Sequence, residues 1–195
     1  MTSRDAILAA VRANQPAPAP PIPALPLFER AARPLLEQFQ ETLIGMGGKL
    51  APAPDGRSLD ALVESLFPDA RVISSATPEL HGTRLLDESA TPAALADVDV
   101  AVVRAAFGVA ETGSVWLSEE ELRVNALAYL AQHLVVLLDP ARIVGNLHHA
   151  YRDPRFKTAR YAVLVTGPSA TADIEGVLIH GAQGVRSLTV VLVPP

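Results

Sequence analysis

The 195-residue chain contains no cysteine. That excludes disulfides, a thiolate nucleophile, a Cys-ligated zinc site and an iron–sulfur cluster held by the chain's own thiolates. Lysine is scarce as well: of 16 basic residues, only Lys49 and Lys157 are lysine. The formal net charge is −5, and no basic stripe runs along the chain, so nucleic acid is not an expected partner. Long apolar runs are missing. Stretches such as Leu134 to Leu138 fall far short of the roughly 20 residues that cross a bilayer. The start, Met1-Thr2-Ser3-Arg4-Asp5, carries an acid and leads into no long apolar region. No signal peptide is read, and a soluble, cytoplasmic protein is the expectation. Three catalytic signatures are absent too: the Gly-x-Ser-x-Gly elbow, the Gly-x-Gly-x-x-Gly turn and the Gly-Lys-Ser/Thr core of a P-loop.

What is present is 49% hydrophobic sequence, enough for one core. A domain of this size buries roughly 70% of the surface its unfolded chain exposes and needs no staples. Residues 3–13 read as a short helix with Ser3 or Thr2 as cap and Ile7, Leu8 and Val11 on one face. Six prolines crowd residues 16–26, which suits an extended arm and neither a helix nor a central strand. The expected division is therefore residues 1–26, helix plus proline-rich arm, and residues 27–195, one α/β domain.

Within the domain, Leu35, Leu36, Phe39, Leu43 and Met46 recur at helical spacing, with Gly45, Gly47 and Gly48 as the stop. Leu59, Leu62, Val63 and Leu66 mark a second helix. Strands are expected at 49–51, 71–74, 99–104, 114–118, 133–138, 161–165 and 188–193. The run His133-Leu134-Val135-Val136-Leu137-Leu138 is continuous, as in a strand buried on both faces. Asp139-Pro140 should open a helix lined inside by Ile143, Val144, Leu147 and Tyr151. A last helix is expected from Thr171 to His180. Strands alternating with helices predict a mostly parallel sheet flanked by helices. The stretch 99–118 lacks an intervening helix, so an inserted hairpin or antiparallel segment is expected there.

Two segments sit where an open α/β sheet places ligands, at the loops after strands. Glu111-Thr112-Gly113-Ser114 gathers a carboxylate, two hydroxyls and a permissive glycine. It reads equally as an ordinary hairpin turn with Glu111 in solvent. Gly167-Pro168-Ser169-Ala170-Thr171-Ala172-Asp173 offers hydroxyls at an expected helix start, an anion site. Asp173 there would repel a phosphate, and the same residues describe a well-capped helix. Arg123 can clamp a carboxylate through two parallel hydrogen bonds, or pair with Glu119, Glu120 and Glu121 beside it. The histidines form no metal pattern: His148 and His149 are adjacent and point about 100° apart on a helix, so no metal site is expected. His133 reads as a structural histidine and His180 as a helix-end cation.

The two segments together resemble motifs of the LUD-domain family, formerly DUF162. Val109-Ala110-Glu111-Thr112-Gly113-Ser114 is similar to that family's Ile-Ala-Glu-Thr-Gly-Thr. Residues Gly167 to Glu175 are similar to its Gly-Pro-Ser-x-Thr-Ala-Asp-Ile-Glu. The likeness covers roughly residues 30–195 and matches the small members that lack a ferredoxin-type module. The chain departs from the family pattern at Ala170, where Arg is usual, and at Gln183 and Val185, where His and Pro are usual.

The resemblance implies a fold like the NagB/RpiA/CoA-transferase group. It also implies a role in L-lactate utilisation, beside two iron–sulfur proteins that oxidise lactate to pyruvate. On that reading Glu111, Thr112, Gly113, Ser114, Arg123, Gly167, Ser169, Thr171 and Asp173 would line a pocket for a small organic anion, with no cofactor of the chain's own. One alternative is a free-standing enzyme on a sugar phosphate or acyl-CoA, with Glu111 as nucleophile or base. The other is a non-catalytic binding module that uses the proline arm.

Overall fold

The computed structural model describes residues 2–16, 21, 23–24, 26–28, 33–52, 54, 56–174 and 176–193. Parts of the proline-rich arm (17–20, 22 and 25) and Glu175 lie outside the described residues. The first half of the chain forms α1 (Ser3–Ala13), α2 (Leu35–Gly45), β1 (Lys49–Ala51), α3 (Leu59–Leu66), β2 (Ile73–Ser75), β3 (Arg84–Leu85) and β4 (Val100–Arg104). The hairpin β5 (Phe107–Val109) and β6 (Ser114–Ser118) follows, then α4 (Glu119–Leu122), α5 (Leu127–Leu130) and β7 (His133–Leu138). The remainder is β8 (Ile143–Val144), α6 (Leu147–Ala150), α7 (Arg155–Thr158), β9 (Ala162–Val165), β10 (Ala170–Thr171), β11 (Ile179–His180) and β12 (Ser187–Leu192).

Six strands make one parallel sheet in the order β1-β12-β7-β4-β2-β3. Side chains alternate faces along a strand, and both faces here are covered. Leu134, Val136 and Leu138 of β7 and Ala101 and Val103 of β4 meet Phe39 and Leu43 of α2. Val135, Leu137, Val100 and Val102 point the other way onto Leu62 and Val63 of α3. Burial on two faces is why β4 and β7 read as unbroken apolar runs. α3 starts as its sequence dictates, with the Ser58 hydroxyl accepting from Ala61 N at 3.2 Å.

A second sheet, β8-β5-β6-β9, takes β5 and β6 from the chain between β4 and β7, and β8 and β9 from the chain between β7 and β12. It is mixed: β5–β6 and β6–β9 are antiparallel, β5–β8 parallel. The antiparallel insertion expected in 99–118 is the centre of this sheet. Phe107 and Trp116 stack with centroids 5.5 Å apart, and Phe156 closes over Trp116 at 4.2 Å.

Two helix expectations fail. Asp139 does cap, its Oδ1 accepting from Ala141 N at 2.9 Å, but only a single 3₁₀ turn (Pro140–Arg142) follows. Ile143 and Val144 then pair with Gly108 and Val109. Two β-branched side chains fit a ladder better than a helix, and Tyr151 ends half exposed rather than lining the inside. Among the described residues of 171–180 there is no helix either. Ala170 and Thr171 pair antiparallel with His180 and Ile179, so His180 caps nothing. Gly176 and Gly181 take positive φ, 69° and 76°, and each glycine costs about 1 kcal/mol in a helix. No helix N-terminus exists at Ser169 to hold an anion. α1 is a helix as expected, with Thr2 and Asp5 forming a reciprocal cap, but buries none of its residues.

Candidate functional site

The parallel sheet places its functional edge by topology. From β2 the chain moves outward to β3, while from β4 it moves the opposite way to β7. The loops leaving β2 and β4 therefore diverge, and an open α/β sheet binds ligands in such a crevice. A cleft of about 620 Å³ lies there, walled by Thr77, Glu79, Arg104, Arg123, Asp139 and Arg142 among others. Most of its carboxylates are already engaged. Glu79 pairs with Arg104 Nε. Asp139 caps the turn after β7. Glu121, also in the wall, accepts from Ser118 N at 2.8 Å and Ser118 Oγ at 2.6 Å. Arg142 makes no ion pair among the described residues, and its Nε reaches only the Ala106 carbonyl, at 3.4 Å.

Arg123 is held in this cleft by an unusual backbone. Its φ is 58° and ψ −54°, and Leu122 O accepts from Val124 N at 2.6 Å. That is a three-residue γ-turn of the rare, strained hand. Among the described residues it is the one non-glycine with positive φ. The guanidinium meets Glu88 at 3.8 Å, with both side chains more than half exposed. Such strain is kept where neighbouring structure imposes it, and it clusters at functional sites.

Glu111, Thr112 and Ser114 face a different cleft, of about 700 Å³, together with Thr42 and Thr166. Thr112 Oγ1 and Ser114 Oγ lie 2.7 Å apart, and Ser114 Oγ also bonds Thr166 Oγ1, giving a chain of three hydroxyls. Glu111 is exposed, and its Oε2 accepts from Leu147 N at 3.0 Å. Gly113 has φ 67°, and a Cβ there would lie 2.4 Å from Leu43 N. At Gly167 a Cβ would lie 2.1 Å from Met46 O. Both motif glycines thus allow their loops to seat directly on the last turn of α2, a packing role rather than ligand approach.

The sequence-derived residues therefore fall into three places. Glu111 to Ser114 sit at the start of β6, and Arg123 lies beyond its end, past a strand about 13 Å long at 3.3 Å per residue. Ser169, Thr171 and Asp173 belong to the β10–β11 hairpin, where Thr171 Oγ1 donates to Asp173 Oδ2 at 3.2 Å. Asp173 is exposed. Arg104 and Arg142 escape a reading of the sequence, although Arg104 ends β4 and Arg142 lies in the turn that follows β7, where topology would direct the search.

A family model described as the LUD domain matches residues 83–193. The chain belongs to the LUD domain family. The matched span holds Arg104, Arg123 and Arg142 as well as the Glu111 loop and the β10–β11 hairpin. An uncharacterised protein of Neisseria meningitidis serogroup B is 26% identical over 102 residues, 51% of this chain and 44% of that protein. This LUD domain therefore spans less than half the length of that relative. A crystal structure of a DUF162 family protein from Deinococcus radiodurans superposes with a TM-score of 0.61 at 16% identity. The match covers 81% of this chain and 95% of that one and establishes the shared fold. Among the described residues, no helix is long and apolar enough to cross a membrane, and no group of three or more His, Asp or Glu could hold a metal ion.

Proposed function

We propose that this LUD domain is a component of an L-lactate utilisation system that holds a small organic anion and works beside iron–sulfur partner proteins. The observation that carries the reading is the arginine-walled cleft at the crevice where β2 and β4 diverge. Its carboxylates are largely committed to backbone and ion-pair partners, while Arg142 is free of ion pairs among the described residues and Arg123 meets only an exposed acid. Guanidinium groups hold carboxylates in a planar, two-point fashion. A chain without cysteine has no thiolates to ligate a cluster, which supports a reading in which partner proteins carry the electrons.

The test is genetic and biochemical. A strain lacking this chain should fail to grow on L-lactate while growing normally on glucose, and the tagged chain should co-purify with cysteine-rich iron–sulfur proteins. Growth on L-lactate at the parental rate refutes the reading. Glu111 beside the three-hydroxyl chain favours a second reading, catalysis on a sugar phosphate or acyl-CoA with Glu111 as base or nucleophile. Full turnover of such a substrate by Glu111→Gln would eliminate it.

A further inference from the structure

Two apolar surfaces of this chain stand open. One is the cleft of about 700 Å³ beside Glu111, where Met46, Leu147 and Leu164 form an apolar wall and Met46 is 55% exposed. The other runs along α1. Arg4, Ile7, Leu8, Val11 and Arg12 recur at the i, i+3, i+4, i+7, i+8 spacing of one helix face. Ile7 is 62% and Val11 55% exposed. An isolated helix of 11 residues is marginal in water, yet this one is finished at both ends. Thr2 and Asp5 cap its start, and at its close Asn14 Nδ2 donates to Ala10 O at 2.8 Å. A helix so prepared presents its apolar stripe at a low ordering cost.

The chain between α1 and the body is fastened to both walls of that cleft. α2 and its C-cap supply Thr42, Gly45 and Met46 to the lining, and α6 supplies Leu147. Arg33 pairs with Glu41 of α2 at 2.6 Å. Phe28 packs against His148 of α6, with ring centroids 4.9 Å apart. The 14 residues from Gln15 to Phe28 can span at most about 50 Å, against a length of roughly 16 Å for α1 itself. α1 is therefore tethered within reach of the cleft, at an effective concentration on the order of millimolar. Charge favours the same pairing. No Arg, Lys or His lines the cleft, and its one charged residue, Glu111, is exposed. The α1 stripe carries an arginine at each end and no acid.

We propose that α1 docks onto its own chain, laying Ile7, Leu8 and Val11 against Met46, Leu147 and Leu164 with its flanking arginines around Glu111. Docked there, α1 covers Glu111 and the Thr112–Ser114–Thr166 hydroxyls and controls access to them. This contact uses no residue of the arginine-walled cleft and asks no catalysis of Glu111.

With no native cysteine, disulfide trapping is unambiguous. The full chain carries Met46→Cys with either Val11→Cys, on the stripe, or Ala6→Cys, on the opposite face of α1, and is equilibrated with reduced and oxidised glutathione. The Val11→Cys pair should close at least tenfold more favourably, as an intramolecular bond that leaves the chain at monomer mass on a non-reducing gel. Adding Ile7→Asp should bring closure down to the Ala6→Cys level, and Glu111→Arg should weaken it at least threefold. None of α1 is buried, so changes there leave the rest of the fold intact. Met46 supplies a second readout. Hydrogen peroxide should convert it to the sulfoxide at least threefold more slowly in the wild-type chain than in Ile7→Asp/Val11→Asp. Equal closure by both faces overturns the proposal, and so do disulfide-linked dimers as the main product, which would seat α1 on a second copy. Equal oxidation of Met46 in the two chains overturns it as well. If Ile7→Asp then abolishes capture of a co-purifying protein, α1 serves that partner instead. Closure that Glu111→Arg leaves unchanged overturns the contact with Glu111.

Discussion

Replacing Arg123 by glycine should stabilise the fold and weaken anion binding in the same variant. The γ-turn at φ 58°, ψ −54° costs a residue with a Cβ roughly 1–3 kcal/mol. Glycine escapes most of that cost but gives back roughly 0.5–1 kcal/mol in unfolded-chain entropy. The ion pair to Glu88, at 3.8 Å between exposed groups, contributes about 0–1 kcal/mol and is lost in any truncation. The informative comparison is therefore Arg123→Gly against Arg123→Ala, in which the ion pair cancels and the strain does not. Glycine should be the more stable by about 1 kcal/mol, or about 2–4 °C in Tm for a chain of this size. Urea unfolding with a common slope reads the difference, and titration with a small carboxylate reads the loss of the guanidinium, which both variants share. If alanine equals or exceeds glycine in stability, the turn stores no strain and the reasoning about Arg123 fails.

Gly113→Ala and Gly167→Ala should each cost about 3 kcal/mol, since each adds a Cβ against α2 backbone atoms at 2.4 Å and 2.1 Å and at positive φ. A urea midpoint unchanged from the parent would contradict the seating of these loops. Stability should also fall with acid in two steps. Burial, with Arg186 and Lys49 nearby, lowers His133 from its usual 6.5 against the opposing charge of Asp99. The unfolded chain therefore takes up the proton first, and stability is lost as pH falls from about 6.5 toward the folded value. Asp99 accepts from Val72 N and Arg71 N, which hold it below its usual 3.8, so its contribution is present above that value and lost as pH falls through the folded one. His133→Phe should flatten the first step and Asp99→Asn the second, read as the slope of the urea midpoint against pH.

The central sheet was readable because burial on both faces leaves its mark in consecutive residues, as in Val100–Arg104 and His133–Leu138. α2 and α3 were readable from spacing and, for α3, from the Ser58 cap. The two misread segments have different causes: residues 170–171 pair locally with 179–180, whereas the Asp139 segment pairs far away. Asp139-Pro140 is a true cap, but the partners that draw Ile143 and Val144 into a strand, Gly108 and Val109, lie 35 residues earlier. Local signals cannot report a non-local ladder. The same limit applied to the site. Glu111-Thr112-Gly113-Ser114 and Arg123 are near in sequence, yet β6 puts them at opposite ends of a strand. Arg104 and Arg142 look like any surface residues until topology places them.

The order β1-β12-β7 has a consequence for synthesis. Among the described residues β1 hydrogen-bonds to no strand but β12, and their paired residues, Lys49 with Thr189, stand 140 positions apart. At about 5–20 residues per second, a ribosome needs on the order of ten seconds to make that interval. Throughout it, β1 has no ladder, and from the moment β7 (His133–Leu138) is made one of its flanks is an open edge of apolar strand, the kind of surface that captures another nascent chain. An interior strand of the sheet, next to its β1 edge, is thus the last part to exist. Productive folding depends on how well that gap is kept empty until residues 187–192 arrive to fill it.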